Sequence, residues 1–91
     1  MTKEARHEKA EQFRQEIALP GQRAAAIRNI VAKDVYDETD NLRIRILLQK
    51  PDYVAGCKSE YGLLLRRLIE PSNSDESLKE TAKKLFKRWF A

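Results

Sequence analysis

The sequence predicts an all-α fold, a small compact bundle of four to five helices in a single domain. The chain of 91 residues has only three glycines and three prolines, and 35% of its residues are charged, a composition typical of helical bundles. Apolar residues recur three and four positions apart in most segments, which is the spacing of a helix face. Only one segment alternates as a strand would, and an isolated strand is not stable.

The strongest helical pattern lies in residues 75–91. We expect Ser74 or Ser77 to cap the helix, with Ser77 and Glu80 forming a capping box. The apolar stripe is expected to be buried, with Trp89 at the centre of the core, although the cationic opposite face also permits a helix lying on a membrane. The stripe consists of Leu78, Ala82, Leu85, Phe86, Trp89 and Phe90, and the basic face of Lys79, Lys83, Lys84, Lys87 and Arg88.

Two further helices are expected in the first half of the chain. Residues 2–18 carry a thin apolar stripe that allows a peripheral position, outside a bundle core formed by residues 22–90. Leu19-Pro20-Gly21 ends this helix. Residues 22–36 form the second helix, with an apolar face made of Ala24, Ile27, Ile30 or Val31, and Val35.

Residues 42–50 can be interpreted in two ways. Leu42, Ile44, Ile46 and Leu48 alternate as in an edge strand, but the chain has no second strand-like run to pair with. We therefore predict a short, largely buried helix, capped by Asp40 or Asn41 and closed by Pro51. A turn or short helix follows at 52–59. Residues 60–69 then form a helix with Tyr61, Leu64, Leu65, Leu68 and Ile69 on its apolar side.

The positive charge is concentrated in the second half of the chain. The net charge is +4; residues 42–91 contain eleven basic and six acidic side chains, while residues 1–41 contain seven basic and eight acidic ones. This excess favours acidic or polyanionic partners. A single cysteine allows no internal disulfide and favours a reducing compartment. No apolar run is long enough to span a bilayer, so we expect a soluble intracellular protein.

The sequence lacks the residue groupings of common catalytic and metal sites. His7 is the only histidine and lies among charged residues, so we expect it on the surface. Cys57 has no histidine nearby in sequence to act as a base, and we expect it to be a small buried residue. A zinc site needs about four nitrogen or sulfur ligands, and the glycines are isolated rather than grouped in a phosphate loop. We expect no enzyme, no metal and no cofactor.

Two blocks of the sequence resemble a known family, the N-terminal or LW domain of the transcription elongation factor TFIIS. The first block is YGLLLRRL at residues 61–68, in which Leu65 and Leu68 fill the apolar places three and six positions after the glycine. The second is TAKKLFKRW at residues 81–89, which is similar to the closing run of the family. The match extends over the second half of the chain, and the loop at residues 70–75 is longer than in TFIIS itself.

The resemblance implies a right-handed bundle of four or five helices that acts as a docking module of the RNA polymerase II elongation machinery. It further implies a nuclear protein that binds short acidic and hydrophobic motifs of disordered transcription regulators. Such a motif needs an apolar groove rimmed by basic side chains. The candidates for this rim are Arg66, Arg67, Lys83, Lys84, Lys87 and Arg88. The structural core is assigned to Leu65, Leu68, Leu78, Ala82, Leu85, Phe86 and Trp89.

Two other functions are compatible with the sequence. A small basic domain could bind DNA or RNA along the last helix, although its basic face lacks the Asn, Gln and Ser side chains suited to reading bases. Alternatively, residues 2–18 could dock on another chain of a larger assembly. We expect a monomer in the absence of such a partner.

Overall fold

Five α-helices and one short 3-10 helix form the protein, whose computed structural model describes residues 2–73 and 75–90. The described residues contain no strand, so the prediction of an all-α bundle is confirmed. Residues 42–47 are helical, as expected. The elements are α1 (Lys3–Glu16), α2 (Pro20–Val31), α3 (Glu38–Leu47), the 3-10 helix (Pro51–Val54), α4 (Lys58–Ile69) and α5 (Glu76–Phe90).

Three helix starts follow from local chemistry. The Thr2 hydroxyl accepts a hydrogen bond from the Ala5 amide at 3.1 Å and caps α1. Pro20 begins α2, where its fixed φ suits a helix and its missing amide is not needed. Asp37 and Asp40 form a reciprocal capping box at the start of α3. The cap is therefore Asp37 rather than Asp40 or Asn41, and α3 begins several residues earlier than predicted.

The start of α5 also differs from the prediction. Asp75 provides the cap, because its Oδ1 accepts a hydrogen bond from the Leu78 amide at 3.0 Å. The expected capping box of Ser77 and Glu80 is wrong, since Ser77 already lies inside the helix. Ser74, the other candidate cap, lies outside the described residues.

Helix α4 lies at the centre of the core. It packs against α5 and α2, while α1 packs against α3. Its apolar side is fully buried at Tyr61, Leu64, Leu65 and Leu68. The Tyr61 hydroxyl donates a 2.6 Å hydrogen bond to the Leu47 carbonyl, which ties α4 to the end of α3. Burial raises the pKa of this phenol well above its ordinary value.

The first helix contributes directly to the core. Phe13 is 4% exposed and Ile17 is fully buried. They belong to the same cluster of buried apolar side chains as the residues of α4. The thin stripe seen in the sequence is thus sufficient to dock α1, because its large apolar side chains are covered.

A buried arginine holds three segments together. Arg23 is 6% exposed, and its guanidinium donates hydrogen bonds to the carbonyls of Ile17, Ala18 and Tyr53 at 3.0, 3.1 and 2.8 Å. Its guanidinium carbon also lies 4.6 Å from the centre of the Tyr53 ring. The end of α1, the start of α2 and the 3-10 helix are therefore joined through one side chain.

The connection between α2 and α3 is held by polar contacts. Lys33 Nζ lies 2.6 Å from Oδ2 of the buried Asp40, and this hydrogen bond raises the pKa of the lysine. Helix α2 ends at Val31, not near residue 36, so Val35 lies in the connection with 78% of its surface exposed. The assignment of Val35 to an apolar helix face was therefore wrong.

The described helices include none that is both long enough and apolar enough to cross a membrane. Cys57 is fully buried, as predicted, and its Sγ donates to the Pro20 carbonyl at 3.2 Å. His7 is exposed on α1, also as predicted.

Candidate functional site

A shallow apolar groove lies along the antiparallel pair of helices α4 and α5. Phe86 and Phe90 are four residues apart on α5 and therefore share one face of that helix. Their ring centres are 5.3 Å apart with the planes inclined at 26°. Both side chains are only partly buried. The pair presents a continuous aromatic surface along one wall of the groove.

The α4 side of the groove combines a glycine with an exposed apolar residue. Gly62 has no side chain, and a Cβ placed there would lie 3.6 Å from the Phe90 ring, so that ring packs closely over α4 at this position. Leu63 is 51% exposed. The groove holds about 590 Å³ and is lined by Lys58, Ser59, Gly62, Leu63, Arg66, Phe86 and Phe90.

Two cations mark the ends of the groove on α4. Lys58 Nζ lies 5.6 Å from the centre of the Phe90 ring, and the guanidinium carbon of Arg66 lies 6.0 Å from the centre of the Phe86 ring. These are cation–π distances. The result is an apolar strip with a positive charge at each end.

The basic residues predicted on α5 divide between two sides of the helix. Lys83 and Lys87 precede Phe86 and Phe90 by three residues each, which places them along the groove side. Lys83 also lies 3.6 Å from the Glu80 carboxylate. Lys84 and Arg88 project from the opposite side, roughly 160° around the helix from the phenylalanine pair. All four side chains are exposed, and Lys83 and Lys87 are the two on the same side of α5 as the phenylalanine pair.

Arg67, the other arginine predicted for the rim, faces away from the groove. Its guanidinium donates to the carbonyls of Lys33 and Asp34 at 3.3 and 3.0 Å, and to the Glu70 carboxylate at 2.8 Å. The guanidinium carbon also lies 5.6 Å from the centre of the Tyr36 ring. These contacts give Arg67 a structural role in holding the α2–α3 connection against the end of α4.

The residues predicted for the core fall into two groups. Four are buried, namely Leu65, Leu68, Leu78 and Ala82, and three are partly buried at its edge, namely Leu85, Phe86 and Trp89. Trp89 meets Tyr61 edge-on with ring centres 5.8 Å apart. The core is therefore centred on α4, with Tyr61 as its largest fully buried side chain, and the indole of Trp89 covers it from one side.

Sequence reasoning missed three residues that are prominent in the structure, namely Lys58, Leu63 and Arg23. Lys58 and Arg66 are eight residues apart and share a face of α4 with Gly62 midway between them, a spacing that could have paired the two cations. Leu63 lies within an apolar run of the sequence. The only sign that it would be exposed is its position on the side of the helix opposite Tyr61. The role of Arg23 has no local signal, because its carbonyl partners lie in other segments.

The comparisons with known proteins leave the family of the chain open. No family model, curated protein or solved structure matches it. The resemblance of residues 61–68 and 81–89 to the TFIIS N-terminal domain therefore stays a hypothesis.

Proposed function

We propose that this protein is a non-enzymatic docking module, which binds a short acidic and hydrophobic motif of a disordered partner protein in the groove between α4 and α5. The resemblance to the TFIIS N-terminal domain extends this proposal to the nucleus, with regulators of RNA polymerase II elongation as the partners. The proposal requires neither a metal nor a cofactor.

The observation that carries the proposal is the aromatic pair with a cation at each end. Phe86 and Phe90 offer apolar contact, and Leu63 adds an exposed apolar side chain on the other wall. Exposed apolar surface of this kind, rimmed by charged residues, is characteristic of interaction sites. A ligand must therefore bring an apolar or aromatic side chain for the strip.

The positive charge around the groove favours a ligand that carries negative charge. Lys58 and Arg66 lie at its ends, and Lys83 and Lys87 lie beside the phenylalanine pair on α5. None of the described residues that line the groove carries a carboxylate. Opposite charge on the ligand speeds association and excludes basic competitors. A groove of this size accommodates a short segment rather than a folded surface, so we expect micromolar affinity, as for small transient interfaces.

The first test is a titration of the isotope-labelled protein with a short peptide that contains aspartates and one phenylalanine, followed by NMR. We expect the amide shifts to concentrate at Gly62, Leu63, Phe86 and Phe90. Leu63→Glu should weaken binding by about tenfold, because it removes apolar contact and adds a repulsive charge. Val35→Glu is the matched control: it adds the same charge at an exposed apolar residue outside the groove and should leave the affinity unchanged.

Two results would count against this function. Equal loss of affinity in both variants would show that overall charge, not the groove, governs binding. Shifts that appear with duplex DNA but not with any acidic peptide, and that centre on Lys84 and Arg88, would favour the nucleic-acid function instead. Melting curves of both variants, expected to match the wild type, confirm that the fold is intact.

A further inference from the structure

From the positions of the two cations we infer the layout of the bound motif: an extended segment in which two acidic residues, four positions apart, bracket one aromatic residue. Lys58 and Arg66 each bind one acid, and the aromatic side chain lies on the Phe86–Phe90 strip. This inference rests on the proposed docking function and specifies its ligand.

Lys58 and Arg66 are available to an external carboxylate. Neither forms an ion pair with any other described residue. The acidic residue nearest to Lys58 in sequence is Glu60, and it binds Arg28 at 3.2 Å. Glu70, the nearest to Arg66, binds Arg67 at 2.8 Å. Both of these carboxylates thus bind other arginines, and each of the two groove cations lies beside an aromatic ring.

The separation of the cations sets the spacing of the acids. Eight residues of helix place the two α4 positions about 12 Å apart along the helix axis. An extended chain advances about 3.3 Å per residue, so acids four positions apart match that separation, and adjacent acids do not. A helical ligand would need acids about eight positions apart.

The antiparallel arrangement of α4 and α5 places one ring near each cation. Phe90 lies beside Lys58 and Phe86 beside Arg66, and the Phe90 ring lies over Gly62, midway between the two cations on α4. An aromatic side chain midway between the two acids therefore contacts the partly exposed Phe86 and Phe90 rings while both acids reach their cations.

The spacing is tested with peptides of one composition, each with two aspartates and one phenylalanine in a Ser/Gly background. The aspartates are adjacent, four apart around the phenylalanine, or eight apart. We expect the spacing of four to bind up to about fivefold more tightly than adjacent aspartates, the gain of one further exposed ion pair. Tightest binding with the spacing of eight, or equal binding by all three peptides, would overturn the inference.

A reciprocal charge swap tests which cation meets which acid. Lys58→Glu should weaken binding of the four-spaced peptide, and a lysine in place of one of its aspartates should restore it. Arg66→Glu should be rescued by a lysine at the other aspartate. Lys84→Glu makes the same charge change on the far side of α5, and it should leave the affinity for the four-spaced peptide unchanged. Rescue of both groove variants by the same peptide would contradict the assignment.

The two proposals fail in distinguishable ways. If no acidic aromatic peptide binds the wild-type protein at the groove, the docking function fails and the layout fails with it. If peptides bind the groove with affinities that are independent of spacing and of the charge swap, the docking function stands and only the layout is overturned.

Discussion

Arg23 illustrates how a single residue can organise the fold without forming an ion pair. Its guanidinium is buried, yet its described hydrogen bonds go to three backbone carbonyls and none goes to a carboxylate. Two of those carbonyls lie at the end of α1, where helical carbonyls lack partners and the helix dipole favours positive charge. The planar fork of arginine satisfies them together, which a lysine could not do.

Gly56 has a backbone conformation that other residues avoid. Its φ of +79° lies in the left-handed region, and a Cβ at this position would lie 3.2 Å from Pro20 Cβ. Gly56→Ala should therefore destabilise the protein by about 1 kcal/mol or more. The free energy of unfolding from urea denaturation is the measurement.

Gly21→Ala serves as the matched control for that prediction. A Cβ at Gly21 meets nothing within 4 Å, and the position lies in the first turn of α2. Its unfolding free energy should equal or slightly exceed that of the wild type, because alanine favours helix over glycine. If both alanine variants had the same stability, the turn at Gly56 would not require a glycine.

At the scale of the element, α5 depends on a cap that the sequence pattern did not single out. Asp75 accepts the Leu78 amide and also binds Arg45 on α3, with Nη2 and Oδ2 3.1 Å apart. Side-chain carboxylates at this position satisfy free amides and favour the positive end of the helix. The cap thus serves both α5 itself and its contact with α3.

Asp75→Ala should lower the free energy of unfolding by about 1–2 kcal/mol, through loss of the cap. Ser77→Ala should change it little, since Ser77 is exposed within α5 and alanine is a good helix former. Comparing the melting temperatures of the two variants shows whether Asp75 or Ser77 caps α5. A larger loss for Ser77→Ala would support the capping box that the sequence pattern predicted.

At the scale of the whole molecule, α1 shares one core with the rest of the bundle. Phe13 and Ile17 lie in the common core, and the Phe13 ring packs beneath Arg43 of α3, whose guanidinium carbon is 5.7 Å from the ring centre. A chain of this length has a modest core, so loss of one large side chain affects the stability of the whole domain.

Phe13→Ala should reduce the free energy of unfolding by about 3–5 kcal/mol, as for other buried phenylalanines. Gln12→Ala, one residue earlier on the exposed side of α1, is the control. It should have the same melting temperature as the wild type. Near-equal melting of the two variants would mean that α1 is peripheral to the bundle and contributes little to its stability.

The candidate site was predictable in its chemistry but not in its geometry. The basic residues of the second half and the aromatic stripe of α5 were visible in the sequence. Their division into a groove side, an opposite side and a structural arginine was not, because it depends on which face of α5 meets α4. Arg67 has the same local surroundings in sequence as Arg66, and only the neighbouring α2–α3 connection gives it carbonyl partners.

The sequence by itself determined the helical class and the approximate position of each helix, because periodicity, proline positions and turn residues act within a few residues of each other. Tertiary structure decided which apolar side chains are covered completely. Helix α4 has neighbours on two sides, α2 and α5, so Tyr61 is fully buried, whereas α5 packs chiefly against α4 and leaves Trp89, Phe86 and Phe90 partly exposed. The burial of a side chain depends on which element packs against its helix face, and that element is formed by residues that are distant in sequence.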